Sequence, residues 1–303
     1  MGAAIALDVG GTALKSALIR QEGRAVEESF RRASVDPHGA AEAILASFAA
    51  ALAKGFREAE RLELEVLGIG VSMPGPSDYV GGRMLAQHKF AAILGRDLRK
   101  EFRSRLNLKE DLPIVFQDDG QCFLIGEAWR GAAQGYERVI GLTLGTGLGA
   151  GFMVNGQILM EGPGIPPRTE VCFVPYEDGI VEDRVSRRGL IASYRRLAKE
   201  AFPEELDVKE ISERALTGRD RAALQAFAEF GSTLGEVMRP ICTKFGAACL
   251  VLGGQISKSF LLFAGPLQEQ LKSVACLQKI APAELGDWSA LYGAAKPLVA
   301  PGA

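Results

Sequence analysis

This sequence predicts a two-domain α/β protein, on three observations. Apolar, strand-like runs alternate with amphipathic, helix-like ones, the order found in layered α/β domains. A glycine-rich hairpin pattern occurs twice, as IALDVGGTALKSALI at 5–19 and IGLTLGTGLGAGFMV at 140–154. A chain of 303 residues is long enough for about two domains of ordinary size, each with its own core.

In the first copy, apolar residues run into Gly10-Gly11-Thr12 and resume at Leu14, Ala17, Leu18 and Ile19, so two strands flank a turn stripped of side chains. Such a turn lets a ligand approach the backbone, because glycine has no Cβ and tolerates positive φ. Aligning Ile5 with Ile140 places Leu7 on Leu142, Gly10 on Gly145 and Ala17 on Phe152. Arg24–Phe30 reads as a polar strand or connection. Over Gly39–Leu62, the recurrence of Ile44, Leu45, Phe48, Ala51 and Leu52 predicts an amphipathic helix. Val66–Ser72 is a buried strand that runs into the rigid turn Met73-Pro74-Gly75-Pro76. Met84–Phe90 then reads as a short strand or connection, Leu94–Leu106 as a helix, and Pro113–Gln117 as another short strand.

Directly after that strand stand Asp118 and Asp119. Adjacent carboxylates at the carboxyl end of a buried strand lie where α/β sheets place ligand chemistry. They also precede an apolar helix, Cys122–Arg130, whose N-terminus an aspartate caps well. Position alone fits either role, and the two residues need not share one. The second hairpin closes at Asn155-Gly156, a two-residue turn signal. Residues 161–181 read as loop, with helices over Asp183–Ala201, Val208–Leu216 and Arg219–Pro240. A buried strand, Cys249–Leu252, ends in Gly253-Gly254-Gln255 ahead of a helix, and a short helix, Trp288–Lys296, follows near the end.

Composition narrows the function. A net charge of −2 leaves no electrostatic footprint for nucleic acid, and clusters such as Arg184/Arg187/Arg188 read as solvated helix faces. No stretch supplies the ~20 apolar residues of a membrane span, and residues 1–7 lack the pattern of a signal peptide, so a cytoplasmic protein is expected. The five cysteines are odd in number and scattered, which suits reduced, mostly buried thiols.

Turns that expose successive backbone N–H groups make concavities suited to phosphate. Three are present, at 10–12, 145–149 and 253–255, the first two in register after apolar strands. They join strand to strand, and neither G-x-x-x-x-G-K-[ST] nor a strand-to-helix G-x-G-x-x-G occurs, so a P-loop and a dinucleotide fingerprint are both excluded.

The ordered series Asp8-Val9-Gly10-Gly11-Thr12, Asp119 with Gly126-Glu127, Leu144-Gly145-Thr146-Gly147-Leu148-Gly149, Leu252-Gly253-Gly254-Gln255-Ile256-Ser257 and Tyr292-Gly293-Ala294-Ala295 resembles that of ROK-family sugar kinases. These belong to the actin/hexokinase/Hsp70 ATPase superfamily. The resemblance spans nearly the whole chain. It implies an actin-like (ribonuclease H-like) fold with an interdomain cleft: a smaller domain from 1–117 plus the C-terminal helix 288–303, and a larger one from 118–287. It implies ATP and Mg²⁺ as cofactors, a sugar as substrate and a homodimer. On that pattern Gly10, Gly11, Thr12, Gly145, Thr146 and Gly147 cradle phosphate, with Lys15 and Thr143 beside them, and Gly253, Gly254 and Gln255 lie near the adenosine. Asp8 would orient hydrated Mg²⁺, and Asp119 would take the proton of the attacking sugar hydroxyl. The family usually has Asn before this Asp; Asp118 here adds a like charge and raises the apparent pKa of the pair.

The sugar segment departs from the pattern. Glu170 matches the first Glu of Glu-x-Gly-His but Phe173 replaces the His, Glu182 matches the second Glu, and Gln87-His88 stand where Asn-Leu is usual. Gln87, His88, Asp118, Asp119, Glu170 and Glu182 are therefore the candidate sugar contacts. With one cysteine and no histidine in 160–190, no zinc site is expected. Glucose is the default substrate. The rivals are a catalytically degenerate sugar or nucleotide sensor and another ATP-dependent phosphotransferase of the same superfamily. The family's repressors carry a helix-turn-helix domain ahead of the first hairpin, and none is expected where that hairpin begins at Ile5.

Overall fold

The computed structural model describes residues 1–86, 89–198 and 206–300. Gln87 and His88 lie outside the described residues, as does the end of the helix expected over Asp183–Ala201. The main elements are β1 (Gly2–Val9), β2 (Ala13–Arg20), β3 (Ala25–Ser34), α1 (Ala41–Arg61), β4 (Glu65–Met73), α2 (Leu98–Leu106), β5 (Ile114–Asp118) and α3 (Asp119–Arg130). They continue with β6 (Arg138–Leu144), β7 (Leu148–Val154), β8 (Gln157–Leu159), α4 (Arg187–Ala198), α5 (Val208–Leu216), α6 (Arg221–Phe245), β9 (Cys249–Gly253), α7 (Phe260–Leu271), β10 (Lys279–Pro282) and α8 (Ser289–Val299).

The chain divides into two compact units, 1–131 with 285–303, and 132–284. The sequence reading put the boundary at 117/118. The structure moves α3 into the first unit, because α3 packs along α8.

In the first unit the sheet runs β3-β2-β1-β4-β5, antiparallel on the β3 side of β1 and parallel on the other. One face carries Ile5, Leu7, Leu18 and Val71 against Ile44, Leu45, Phe48 and Leu52 of α1. Each such side chain, taken out of water, is worth about 1.5–3 kcal/mol. The other face is built of Ala4, Ala6 and Ala17 and receives α8 through Leu291 and Ala295. Small residues there let backbones approach. A Cβ at Gly293 would strike the carbonyl oxygen of Cys122, and one at Gly126 that of Ser289. Where the sequence suggested a helix from Leu94, α2 starts at Leu98: Gly95 takes φ 70° and Asp97 caps the helix, accepting from the Lys100 N–H at 3.1 Å.

Glu127, part of the motif series, turns out to be a structural carboxylate. It is fully buried, and its Oε1 accepts from Ser289 Oγ at 2.6 Å and from the Leu285 amide at 3.1 Å. It thereby ties α3 to the start of α8. Glu127→Ala strands the Leu285 amide, while the Ser289 hydroxyl keeps only the Gly286 carbonyl at 3.0 Å, and is expected to cost about 1–3 kcal/mol, read as a lower urea midpoint; an unchanged midpoint would show that the tie is dispensable.

The second unit repeats the order, β8-β7-β6-β9-β10, with the same mix of antiparallel and parallel pairs. The duplication seen in the sequence is thus a duplication of topology. Its second strands, however, align one residue differently from the gap-free alignment. Ile5 pairs with Leu18 while Ile140 pairs with Phe152, so Leu18, not Ala17, is the counterpart of Phe152. The cause is the turn, 10–12 plus Ala13 in one copy and 145–147 alone in the other. One residue of register exchanges sheet faces, which is why Ala17 meets α8 and Leu18 meets α1.

Helix α6 runs to Phe245, beyond the expected stop at Pro240. The apolar stripe continues through Ile241, Cys242 and Phe245, all buried, and Gly246 at φ 73° ends the helix. Continued burial offsets the lost proline N–H. The half-buried edge strand β10 was not anticipated. The loop-like 161–181 segment holds only short 3-10 turns and a minimal two-strand ladder. Cys122, Cys242 and Cys249 are buried and all five cysteines are free thiols. Among the described residues no helix is long and apolar enough to cross a membrane.

Candidate active site

In the first unit the polar residues gather at the carboxyl ends of parallel strands. Lys15, Asp8, Ser72 and Gln117 stand in one register row across β2, β1, β4 and β5. Asp8 is nearly buried and held at both oxygens: Ser72 Oγ donates to Oδ1 at 2.8 Å, and Lys15 Nζ to Oδ2 at 3.3 Å. Lys15 also lies 3.2 Å from Asp287 Oδ1. The Gly10 N–H is taken by the Ala13 carbonyl at 2.9 Å, which closes the turn. Among the described residues the amides of Gly11 and Thr12 have no hydrogen-bond partner, so these two are the donors left for an anion.

Asp118 and Asp119 have separate roles. Asp118 is the N-cap of α3, accepting the Gln121 N–H at 3.1 Å and the Tyr79 hydroxyl at 2.7 Å. Asp119, the first helical residue, is exposed and among the described residues accepts one local bond, from the Gly120 N–H at 2.8 Å. Loss of hydration in its dense surroundings, then the Asp118 and Asp8 carboxylates, push the Asp119 carboxyl up to about 7; the Gly120 amide and Lys89 act the other way. Since the residue keeps solvent contact, its two like-charged neighbours are the firmer part of that cause. The result is a reachable carboxyl group poised to hold or release a proton near neutrality.

In the second unit Thr143 takes the register position that Asp8 has in the first, opposite Gly149 and beside Gly253. The Gly145 N–H donates to the Gly147 carbonyl at 3.0 Å, again closing the turn, while the Thr146 and Gly147 amides have no partner among the described residues. Glu182 braces this turn, its Oε2 accepting the Leu148 N–H at 2.9 Å. Glu170 pairs with Arg168 at 2.6 Å, and both Glu170 and Glu182 lie near Cys172, whose thiol is pushed up by burial and by these two carboxylates. Phe173 is 57% exposed. Gly254 sits at φ 86°, where a Cβ would strike the Leu144 carbonyl. A cavity of about 620 Å³ opens beside the turn, lined by Gly145, Thr146, Asp207, Ser212, Gln255 and Ile256. A second cavity of about 530 Å³, walled by Tyr176, Arg184, Ser193 and Glu229, touches neither glycine turn.

The predicted residues thus fall into two sets, Asp8, Gly10–Thr12, Lys15, Asp118 and Asp119 in one unit, and Thr143, Gly145–Gly147, Glu170, Glu182 and Gly253–Gln255 in the other. Sequence reasoning missed Ser72, Tyr79 and Lys89. Ser72 had a signal, as the polar end of the run VLGIGVS, and so had Lys89, which stands in the Gln87-His88-Lys89-Phe90 segment matched to the family's sugar contacts, but Tyr79 had none.

The ROK family model matches residues 4–299. The chain belongs to the ROK family. With it comes the two-domain actin-like ATPase fold, within which the duplicated sheets described above find their place. Among its ROK relatives, a glucokinase of Thermotoga maritima is 25% identical, covering 97% of this chain and 92% of its own. An N-acetyl-D-glucosamine kinase of Pectobacterium atrosepticum is 28% identical over 75% of this chain and 78% of its own. A crystal structure of a ROK family glucokinase from Streptomyces griseus, in complex with glucose and AMPPNP, matches at 25% identity with a TM-score of 0.75, over 98% of this chain and 99% of that one.

Proposed function

We propose that this ROK protein is an ATP-dependent kinase of a hexose, with Asp119 as general base. The observation that carries the reading is the division between the two aspartates: Asp118 is committed to capping α3, while Asp119 is reachable and titrates near neutrality under the charges of Asp118 and Asp8. Ionised Asp119 accepts the proton of a sugar hydroxyl as its oxygen forms a bond to the γ-phosphorus. The bond from that phosphorus to the β,γ-bridging oxygen breaks, and ADP leaves with the electron pair. The free amides of Gly11, Thr12, Thr146 and Gly147 suit phosphate oxygens. The cavity beside Gly145 and Gln255 suits the nucleoside.

Magnesium fits this donor set as an ion held through its own waters and by phosphate. Asp8 already serves Ser72 and Lys15, and among the described residues no group of three or more His, Cys, Asp or Glu could hold a metal directly. Asp8 would accept from a water of that shell, and the ion would supply charge neutralisation at the β- and γ-phosphates. Sugar hydroxyls have Glu170 and Glu182 as candidate acceptors, both near Cys172.

The relatives named above include kinases of glucose and of N-acetyl-D-glucosamine, so the panel that tests the reading contains both sugars, mannose and N-acetylmannosamine, with ATP and Mg²⁺. One sugar is expected to raise ADP formation at least about tenfold over the sugar-free rate, glucose being the first choice. ADP formation indifferent to every sugar would contradict the assignment and favour a sensor or a different acceptor.

A further inference from the structure

Two lysines lie beside the Gly10–Thr12 turn, and their situations differ. Lys15 is flanked by two carboxylates, Asp8 at 3.3 Å and Asp287 at 3.2 Å, so its charge is locally balanced. Lys89 is half-buried and, among the described residues, has no carboxylate within ion-pair distance. Its side chain lies over the turn: a Cβ built at Gly11 would be 3.5 Å from Lys89 Cε and 3.6 Å from Nζ. The ammonium group thus hangs over the residue whose amide is free, on the side where glycine leaves the backbone open. It also acts electrostatically on Asp119. Phe90, the next residue, is fully buried and packs edge-on against Phe48 of α1, and its N–H donates to the Pro37 carbonyl at 2.8 Å. The backbone that carries Lys89 is therefore anchored on its C-terminal side.

We propose that Lys89 is a catalytic residue that contacts the γ-phosphoryl group over the Gly10–Thr12 turn and neutralises charge on it as it passes to the sugar hydroxyl. This rests on the kinase reading above. An ammonium with no carboxylate partner among the described residues, set beside free amides, suits an anion, and a lysine, as a compact point charge on a flexible stem, can follow a phosphoryl group in motion. Lys15 cannot do the same without leaving Asp8 and Asp287. Its place over Gly11 and its electrostatic reach to Asp119 also suit the step itself: the proton moves to Asp119 while the phosphoryl oxygens keep a cation.

The test compares Lys89→Met and Lys89→Arg with the wild type in the full chain, in two assays. Calorimetric affinities for Mg·ADP and for the β,γ-imido analogue of Mg·ATP are measured without sugar. A contact to the γ-phosphoryl predicts that Lys89→Met weakens the analogue about tenfold or more and ADP less than about twofold, with Lys89→Arg restoring most of the difference. In turnover with the best sugar, Lys89→Met is expected to lose about 10²-fold or more in kcat. Equal weakening of both nucleotides, or of neither, overturns the proposal. The two readings fail separately: a wild type that phosphorylates no sugar sinks the kinase assignment, while the analogue-to-ADP ratio still decides what Lys89 touches. A wild type that binds neither nucleotide overturns both.

Discussion

Asp119→Asn is expected to lower kcat by about 10²–10⁴-fold while leaving nucleotide affinity close to that of the wild type. The amide fills the same space and accepts the same Gly120 N–H at its oxygen, so geometry is kept and basicity alone is lost. Asp118→Asn should behave differently, because an asparagine still caps α3 and removes a like charge from beside Asp119. The pH dependence separates the two residues further. A base must be ionised to act, so wild-type kcat/KM should rise with pH through about 7 and level off above it. Asp118→Asn should move that rise to lower pH.

The same shift has a consequence for stability, with the opposite sign to the usual carboxylate. Asp119 holds its proton more tightly folded than unfolded, so raising the pH from about 4 to about 7 ionises the unfolded chain first and works against folding. Asp119→Asn removes that effect. The variant should therefore melt higher than wild type at pH 8 and much like it near pH 4. A variant less stable at pH 8 would mean that the ionised carboxylate is a structural asset, and the raised proton affinity of folded Asp119 would not stand.

Gly293→Ala is expected to be the most damaging single-methyl addition in the first unit. Its Cβ would strike the Cys122 carbonyl, a backbone atom in the middle of the α3–α8 contact, so one helix must move. Overpacking of this kind costs about 1–3 kcal/mol, and more where backbone is the obstacle. The denaturant midpoint of Gly293→Ala should therefore fall. An unchanged or raised midpoint would mean that α3 and α8 are not as tightly apposed as described. Activity should follow stability in Gly293→Ala, because Asp119 begins α3 and loses its place when that helix shifts.

The duplication was legible because hydrophobic period and glycine turns recur together, and period is what a sheet reads. What the period could not convey was the one-residue difference between the turns, since Ala17 and Leu18 are both apolar and either could face the core until the pairing with Ile5 is known. The boundary was misplaced for a related reason. Nothing in α3 itself says that its partner is α8, some 160 residues later; the small residues Gly126 and Gly293 were visible, but not that they meet each other's helices. At the site, Asp8 and Asp119 could be singled out from the motif order. Separating Asp119 from Asp118 required the two bonds to Asp118, one from a main-chain amide and one from Tyr79, which no local pattern announces. Glu127 was quoted for its place in the motif series and proves to be a strut between α3 and α8.

The most direct measurement is the fate of the γ-phosphate. ATP labelled at that position is incubated with Mg²⁺, each sugar of the panel in turn and either the wild type or Asp119→Asn, and the products are separated. The account predicts labelled hexose phosphate from the wild type and about 10²-fold less or lower from the variant. Label found only as inorganic phosphate for every sugar in the panel, or equal transfer by Asp119→Asn, would contradict it.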